Sequence, residues 1–398
     1  MRRQVSVFCA IFFALGVFVI FTAGEALAVP AFSRQIEDDC TVCHSAFPKL
    51  NEAGRIFRDN GFRFPEDTEW KEVKDLASLP VSAEIVVEGE INNDENSAGL
   101  KRSQESKFFV EEFELFVGAP IGKEGKVAVY GVLEAERVSA NEPDVEDSVD
   151  VSIATAWFQV NDLVGETGKG LLNMRAGRWD VSLPFLAHNE RVIKNRYIAQ
   201  NSLEILGDGM TGIELNGQII GEEETTQPTH RYRLGVARPD FNERNRLSNP
   251  NLYASYAINF LEHYTLGAIY KRDVETAAAP NTGDEALSRY GFAGAVEWGP
   301  FIGTVGYFLS EATDDKDFNN LLVEALFLPT KKVVLGMRYD LLDKEDKKSG
   351  NETTLTGRYN IMSSVYVLAE YRLRGDKDNI IGTADRQERG RAYLVALF

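Results

Sequence analysis

The feature that most constrains the fold is a series of alternating segments that extends over residues 81–398. Each segment is about ten residues long, and polar, glycine or proline turns separate it from the next. In segment 208–220, Ile213 and Leu215 share one face, whereas Glu214 lies on the other. This period of two predicts β-strands with two different faces. The sixteen predicted strands are 81–92, 107–118, 125–138, 149–161, 171–180, 208–220, 230–239, 251–260, 263–272, 288–298, 301–311, 320–329, 332–342, 352–361, 364–374 and 389–398.

The connections between these strands alternate between short and long. Most connections after an even-numbered strand are tight, as in 298–301, and those after an odd-numbered strand are long and polar, as in 181–207. The turns after the fourth and sixth strands are looser. Outer-membrane barrels have short periplasmic turns and longer external loops, and the final strand, ending at Phe398, is typical of them. The sequence therefore predicts an all-β membrane protein, a sixteen-stranded antiparallel outer-membrane barrel over 81–398, with a soluble β-sandwich as the alternative.

The N-terminus has the three-part layout of an export signal. Arg2 and Arg3 precede the apolar run 5–22, and the A-x-A sequence 26–28 follows it. This layout predicts a signal peptide over 1–28. Because the apolar run is slightly long for a signal, an uncleaved anchor is the alternative.

The five residues Cys40-Thr41-Val42-Cys43-His44 form the attachment pattern of haem c. In this chemistry both thiols add to the porphyrin vinyl groups, and the adjacent imidazole binds the iron as its proximal ligand. The alternative, half of a zinc site, needs a second Cys/His pair that the sequence lacks. Since Cys9 leaves with the signal, the mature chain has no cysteines for a disulfide. The sequence therefore predicts one covalent haem c, attached to Cys40 and Cys43 and ligated by His44.

Residues 29–80 are predicted to form a small α-helical haem module at the periplasmic side of the barrel or within its lumen. One helix is expected over 45–60, with Phe47, Leu50 and Phe57 on one face. This face packs against the porphyrin or, alternatively, forms a small core. About fifty residues bury too little apolar surface to fold well without the cofactor.

The module has no second histidine and no methionine for the opposite face of the iron. The candidate distal ligand is His188, because it lies in the third external loop, a loop that often folds into the pore of porins. The alternatives are a histidine bonded only to a neighbouring side chain, or ligation by Met210, His230 or His263. The last two are expected near periplasmic turns.

The formal net charge of −18 argues against nucleic acid as a partner. The acidic loop segments 142–150 and 311–317 attract divalent cations or serve solubility alone, and no fixed metal site is predicted in them. Lys194 and Arg196, which follow His188 in the third loop, are candidates to meet the haem propionates.

Segments 31–35, 40–44, 47–51 and 54–62 together carry a family resemblance. They resemble the fused outer-membrane cytochrome–porins, which include the monohaem iron oxidases of iron-oxidising bacteria. The resemblance is close over the first third of the mature module and elsewhere rests only on a barrel of matching size. It implies a single haem c at a sixteen-stranded pore that moves electrons between the cell exterior and periplasmic carriers.

The predicted function is an outer-membrane electron conduit that takes electrons from extracellular Fe(II) or another redox-active metal to a periplasmic cytochrome or similar carrier. In that direction the protein is a ferrous iron oxidase, and no side-chain acid or base is needed. One alternative is a conduit that works outward to extracellular metal acceptors. The other is a diffusion porin whose cytochrome module only docks a partner. Outer-membrane lipid is expected around the barrel in every case.

Overall fold

A computed structural model describes residues 31–36, 38–65, 81–95, 101–122, 124–138, 148–201, 203, 205–207, 209–221, 228–238, 250–275, 285–311, 317–344, 350–362, 364–375 and 386–397. The predicted signal peptide 1–28 lies outside these residues, as do Cys9, most of the acidic segments 142–150 and 311–317, and Phe398. Within the described residues, no helix is long and apolar enough to cross a membrane.

Residues 38–65 form a compact segment, here called the module, in which helix is less extensive than predicted. Its elements, with the short helix that precedes it, are α1 (Ala31–Ile36), a 3₁₀ turn (Cys40–Val42), β1 (His44–Ala46), β2 (Lys49–Leu50) and α2 (Glu52–Asp59). The predicted single helix over 45–60 is wrong over 45–51, nearly half of its length. Pro48 has no N–H for a helix interior, and Asn51 caps α2 by accepting from the Gly54 amide, so the helix begins at Glu52.

The rest of the described chain forms one closed barrel in which every strand pairs antiparallel with its two neighbours. The last strand closes the barrel by pairing with the first. The strands are β3 (Val81–Glu95), β4 (Lys101–Ile121), β5 (Val127–Val138), β6 (Ser148–Val164), β7 (Leu172–Asp180), β8 (Gly209–Ile219), β9 (Thr229–Arg238), β10 (Asn251–Phe260), β11 (Tyr264–Glu275), β12 (Glu285–Trp298), β13 (Phe301–Glu311), β14 (Phe318–Thr330), β15 (Val333–Lys344), β16 (Gly350–Met362), β17 (Val365–Gly375) and β18 (Arg386–Leu397). The prediction of sixteen antiparallel strands is confirmed.

The two faces of the barrel are reversed relative to a soluble protein. In β9, Arg231 and Arg233 point into the lumen and are 1% and 7% exposed, whereas Leu234 and Val236 point outward and are 57% and 47% exposed. The same alternation runs round the barrel and leaves its outer surface apolar. An apolar exterior around a polar interior is the pattern of a barrel that lies in lipid, and it argues against the β-sandwich alternative.

Short and long connections alternate as predicted, and they define a short-turn end and a long-loop end of the barrel. The turns 261–263, 299–300 and 331–332 are tight, and those after β6 and β8 are longer, as expected. The strands extend further toward the long-loop end than predicted. As a result, β15 and β16 are joined by only 345–349.

The connection between β7 and β8, residues 181–207, folds into the lumen and is called the inner loop. It includes the short helix α3 (Ile198–Asn201). Val181, Leu183 and Ile193 are fully buried, and they pack in clusters with inward-facing apolar side chains of the wall. The prediction that the third long loop turns inward is confirmed.

The module also lies inside the barrel, between the inner loop and the short-turn end. Arg63 donates to Asp162 near the end of β6, over 2.9 Å, and Arg55 pairs with Glu297 near the end of β12, over 3.1 Å. On a third side of the lumen, the guanidinium of Arg358 in β16 donates to the carbonyl of Phe47. The lumen therefore contains two stacked layers, with the module nearer the short turns.

Candidate functional site

The Cys40–His44 segment is held by hydrogen bonds to α2 and to its own cap. The Asp39 carboxylate accepts from the Thr41 amide over 2.9 Å and caps the 3₁₀ turn. On the other side, Asn51 donates from its backbone amide to the Cys43 carbonyl over 2.9 Å and from Nδ2 to the Val42 carbonyl over 2.9 Å. The side chain that begins α2 thus also fixes the turn that carries both cysteines.

Gly54 allows α2 to approach this turn closely. A Cβ at position 54 would lie 2.1 Å from the Cys43 carbonyl oxygen and 2.9 Å from Cδ2 of Leu50. No real side chain tolerates the first distance, and backbone cannot move aside as a flexible side chain can. The contact between the CxxCH turn and the helix therefore requires glycine here.

Cys40 and Cys43 are both free thiols and partly buried. Burial raises the pKa of Cys40, and the charge of Asp39 adds to the effect. Burial together with neighbouring Cys40 raises the pKa of Cys43 to about 11. Both groups are therefore protonated thiols at neutral pH, and they do not pair with each other.

The His44 ring is oriented by a backbone carbonyl. Its Nδ1 lies 3.0 Å from the Pro48 oxygen, so Nδ1 carries the proton and Nε2 keeps a free lone pair. Burial lowers the pKa of His44 to about 4, so the ring is neutral at ordinary pH. A neutral imidazole oriented through its other nitrogen is the arrangement of metal-binding histidines. Together with the two free thiols of the same motif, this set of donors fits a haem c.

The three predicted packing residues have different surroundings. Phe47 lies beside His44 with ring centroids 4.9 Å apart, and 6.5 Å from Tyr366 of β17. Leu50 is partly buried in β2. Phe57 is 4% exposed within the core that joins the module to the barrel. Phe47 therefore lies beside His44, the predicted proximal ligand, whereas Phe57 packs against other aromatic side chains.

An aromatic cluster around Phe57 connects the module to the wall. Phe62 stacks on Phe32 and on Trp157 of β6, with centroids 4.7 and 5.7 Å apart. Trp157 in turn lies 5.5 Å from Tyr130 of β5. These contacts fix the position of the module on one side of the lumen.

A buried ion-pair network fixes the other side of α2. Asp59 accepts from Arg233 of β9 over 2.8 Å and from Arg58 over 3.0 Å, and Arg231 lies 3.8 Å away. Burial alone would raise the pKa of Asp59, but Arg233, Arg58 and Arg231 together hold it well below its usual range. Arg58 also pairs with Glu190 of the inner loop. Sequence analysis missed this network, because the alternation pattern does not predict which lumen-facing arginines form ion pairs with Asp59.

His188 lies in a 3₁₀ helix, His188–Glu190, of the inner loop. The module contacts this part of the loop on both sides of His188. Lys49 donates to the Phe185 carbonyl over 3.5 Å, and Arg58 binds Glu190. The backbone at the predicted distal ligand therefore adjoins the module.

The other candidate ligands lie elsewhere. His230 is on the outer face, where its Nδ1 lies 2.5 Å from the Tyr256 hydroxyl, and His263 stacks on Trp298 at the short-turn end. Both lie near short turns, as predicted. Met210 is buried in the core under the inner loop.

The cations Lys194 and Arg196 pair with barrel carboxylates. Lys194 Nζ lies 3.0 Å from Glu84, and Arg196 lies 3.0 Å from Glu136. Both cations therefore have carboxylate partners on the barrel wall, and their contact with haem propionates stays a prediction. The inward position of these carboxylates could have been found by following the polar face of each predicted strand.

No family model and no curated protein matches the chain. Solved structures do match it over most of its length. They include an anion-selective porin from Comamonas acidovorans, with 10% identity, 80% of this chain and 99% of that chain covered, and a TM-score of 0.52. OmpT of Vibrio cholerae matches with 12% identity, 82% and 100% coverage, and a TM-score of 0.52. OmpF of Salmonella typhi, in complex with daunomycin, matches with 9% identity, 83% and 98% coverage, and a TM-score of 0.56. These similarities show the barrel fold.

Proposed function

We propose that this barrel lies in an outer membrane and conducts electrons through a single haem c bound by its module. The observation that carries the proposal is the geometry of the CxxCH segment inside the lumen. Cys40 and Cys43 are free, and the Pro48 carbonyl holds His44 with Nε2 available. The apolar exterior and the short turns support an outer-membrane barrel with the module toward the periplasm.

The residues of the chain have separate roles in this proposal. Cys40 and Cys43 would hold the haem through thioethers, and His44 would ligate its iron. When bound, haem c supplies a one-electron carrier whose potential depends on ligation, burial and nearby charge. Phe47 covers one side of the His44 ring, and Arg358 places a positive charge next to it. The aromatic cluster and the ion pairs of α2 hold the module so that its position in the lumen is constant.

The direction proposed is inward. A donor such as extracellular Fe(II) loses one electron and becomes Fe(III), and a periplasmic cytochrome or similar carrier gains that electron. The protein would then be a ferrous iron oxidase. Reduction of external metal acceptors uses the same parts with the opposite driving force, and the potentials of donor and acceptor decide between the two directions.

The test is a spectrum of the purified protein in both redox states, followed by titration with Fe(II). We expect a covalent haem whose reduced spectrum appears on adding Fe(II). His44→Ala should abolish this reduction, whereas His263→Ala, at an exposed turn, should leave it intact. A purified protein without covalent haem would refute the proposal, and reduction that is unchanged in His44→Ala would refute the role of His44.

A second candidate function is a diffusion porin whose module docks a partner. The barrel fold shared with porins favours it. Two layers inside the lumen argue against free diffusion of larger solutes, because module and inner loop contact the wall on several sides. Swelling of liposomes in solutions of small sugars distinguishes the diffusion porin from the electron conduit. Rapid swelling of liposomes that contain the haem-loaded protein favours the porin.

A further inference from the structure

One buried cation of the module lacks an ion pair. The three arginines of the module each pair with a carboxylate at 3.1 Å or less. Lys49 is 3% exposed, but among the described residues it forms no ion pair. Its ammonium group has three N–H donors, and the contact that it makes is to the Phe185 carbonyl over 3.5 Å, which is long for a hydrogen bond. Glu297, whose charge acts on Lys49, is already bound by Arg55 over 3.1 Å and by Ser45 over 2.6 Å.

Arg358 of β16 is a second buried cation without an ion pair in the part of the chain that the structure describes. It is 4% exposed. It donates to the Phe47 carbonyl and, over 2.7 Å, to the Asn360 side chain, and its guanidinium carbon lies 3.7 Å from the ring centroid of Tyr366. These three groups are uncharged. Because arginine stays protonated in proteins, the positive charge of Arg358 persists in these surroundings.

The carboxylate whose charge acts on Arg358 is Glu84, and it binds another cation. Lys194 lies 3.0 Å from Glu84 and compensates it. A buried charge without a paired anion is costly, so buried charges in proteins are paired or bind a ligand. Lys49 and Arg358 are therefore candidates to bind an anionic ligand.

Both cations adjoin the hairpin that orients His44. β1 and β2 form this hairpin, and Phe47 and Pro48 form its tip. Arg358 donates to the Phe47 carbonyl, and Lys49 directly follows Pro48. The Pro48 carbonyl between them lies 3.0 Å from Nδ1 of His44. The two cations thus flank the group that fixes the orientation of the predicted proximal ligand.

The direction of the hairpin matches the chemistry of haem c. The vinyl groups and the two propionates occupy opposite halves of the porphyrin, and the vinyl half would be held by Cys40 and Cys43. The open end of the hairpin adjoins these cysteines, because the Asn51 amide donates to the Cys43 carbonyl over 2.9 Å. The tip is therefore the end that points away from the cysteines. Two unpaired cations at this end correspond to two carboxylates on the far half of the ligand.

We propose that Lys49 and Arg358 bind the two propionate carboxylates of the haem. This inference rests on the proposed function, because it takes haem c to be attached at the CxxCH segment. The cations that sequence analysis assigned to the propionates, Lys194 and Arg196, both have carboxylate partners on the barrel wall. Charge-assisted hydrogen bonds to the propionates compensate both buried charges and fix the rotation of the porphyrin about the His44 bond.

The experiment observes the propionates directly. The haem-loaded full-length protein is prepared with carbon-13 at the two propionate carboxyl carbons, and infrared difference spectra recorded against pH give the midpoint at which each takes up a proton. Because the label is in the haem, a small carboxylate bound from solution does not contribute. An adjacent cation keeps a carboxylate ionised, whereas burial without one favours the protonated form. In the unmodified protein, both propionates should therefore stay ionised from about pH 8 to about pH 5.

The main variant is Lys49→Met, which removes the charge and nearly keeps the volume. One labelled midpoint should rise by at least about one pH unit and fall within this range. Lys49→Arg keeps the charge and should keep the unmodified midpoints. Lys169→Met removes the same charge at an exposed short turn and is the matched control. Arg358→Gln should raise the other midpoint, and if it does not fold, Lys49→Met still decides.

Thermal stability separates ligand binding from a structural role of Lys49. In haem-free full-length protein, Lys49→Met removes an unpaired buried charge, so its melting temperature should be equal to or higher than that of the unmodified chain. In the haem-loaded protein the same change leaves a propionate without its cation, and the melting temperature should fall. An equal fall in both forms would show that Lys49 is structural and would overturn its assignment.

Unchanged midpoints in both Lys49→Met and Arg358→Gln would overturn the proposal. So would a rise in Lys169→Met as large as that in Lys49→Met, since net charge alone would then explain it. A raised midpoint in Arg196→Met with none in Lys49→Met would assign the propionates to the inner loop instead. A spectrum without covalent haem refutes the proposed function and this proposal together. Haem that Fe(II) does not reduce refutes the iron oxidase alone, because the propionate midpoints are measured without Fe(II).

Discussion

The module and the inner loop share the lumen but are held there by different forces. The module is bound mainly through ion pairs, with Asp59 to Arg233 and Arg63 to Asp162 as the most buried. The inner loop is bound mainly through apolar packing of residues such as Leu183 and Phe185. Detachment of the inner loop from the wall should therefore depend on side-chain volume. Detachment of the module should instead depend on charge and pH.

The largest expected effect is on the module, from Asp59→Asn. This change removes the carboxylate shared by Arg58, Arg231 and Arg233. Arg58 keeps Glu190 and Arg231 keeps Glu52, whereas Arg233 is left buried without an ion-pair partner among the described residues. Breaking one side of a buried ion pair costs about 3–5 kcal/mol. We expect the amides of α2 to exchange hydrogen correspondingly faster, while those of the inner-loop core change less.

The control for Asp59→Asn is Glu166→Gln, at an exposed position of the turn whose Gly168 carbonyl accepts from Asn60. It should leave exchange in α2 unchanged. Equal protection of α2 in Asp59→Asn and in the unmodified protein would mean that aromatic packing alone holds the module.

The Asp59 carboxylate also makes binding of the module to the barrel wall weaker at low pH. Because the folded pKa of Asp59 lies below the unfolded one, its contribution is present above the ordinary aspartate pKa and is lost as pH falls through the folded value. The protection of α2, measured against the intrinsic exchange rate at each pH, should therefore stay high from neutral pH to about pH 4 and fall only below it. Asp59→Asn should remove much of that acid transition. A transition near pH 6 would point to another group.

The second largest effect is expected in the inner loop, from Leu183→Ala. Leu183 is fully buried against Gly267 of β11, where an added Cβ would lie 3.0 Å from its Cδ2. Truncating a buried leucine costs about 2–4 kcal/mol, depending on how far the cavity collapses. The protection of amides in 181–207, measured against the intrinsic exchange rate at each pH, should fall, and this fall should not depend on pH between 5 and 8. Leu234→Ala, at an outward position, is the control and should leave the loop protected.

The barrel could be predicted from the sequence because one face of each strand meets lipid and the other meets the lumen. That contrast repeats along every strand, so even 251–260 and 301–311 have the predicted bounds. The strand ends were underestimated at the long-loop end, as in β4, because polar residues there alternate without an apolar face.

The site was predictable only where covalent chemistry sets the spacing. Cys40, Cys43 and His44 follow from the motif, and the Pro48 contact that orients the ring is local. The hairpin before α2 was missed because the helical spacing of Phe47 and Leu50 outweighed the breaking effect of Pro48. The partners of Asp59 come from strands far along the chain, and only closure of the barrel brings them together.

A smaller effect is expected from Glu190→Gln, which weakens the contact between the two layers. Glu190 pairs with Arg58, but Arg58 also keeps Asp59, so its charge remains compensated. We expect a loss of about 1.5 kcal/mol, the lower end of the range for a hydrogen bond to a charged group, because glutamine can still accept from Arg58. Exchange should quicken both in α2 and around 188–190. A change confined to one layer would show that Arg58 does not couple the two layers.

The smallest effect is expected from Glu52→Gln, at the first residue of α2. Glu52 pairs with Arg231 and with Arg55, but it is 24% exposed, and water weakens both ion pairs. Such a partly exposed pair contributes at most about 1 kcal/mol. Raising the salt concentration should slightly quicken exchange at the start of α2 in the unmodified protein and have less effect in Glu52→Gln. If Glu52→Gln instead released the module as Asp59→Asn does, the partly exposed pairs would matter as much as the buried one, and burial of the charge would not explain how the module is held.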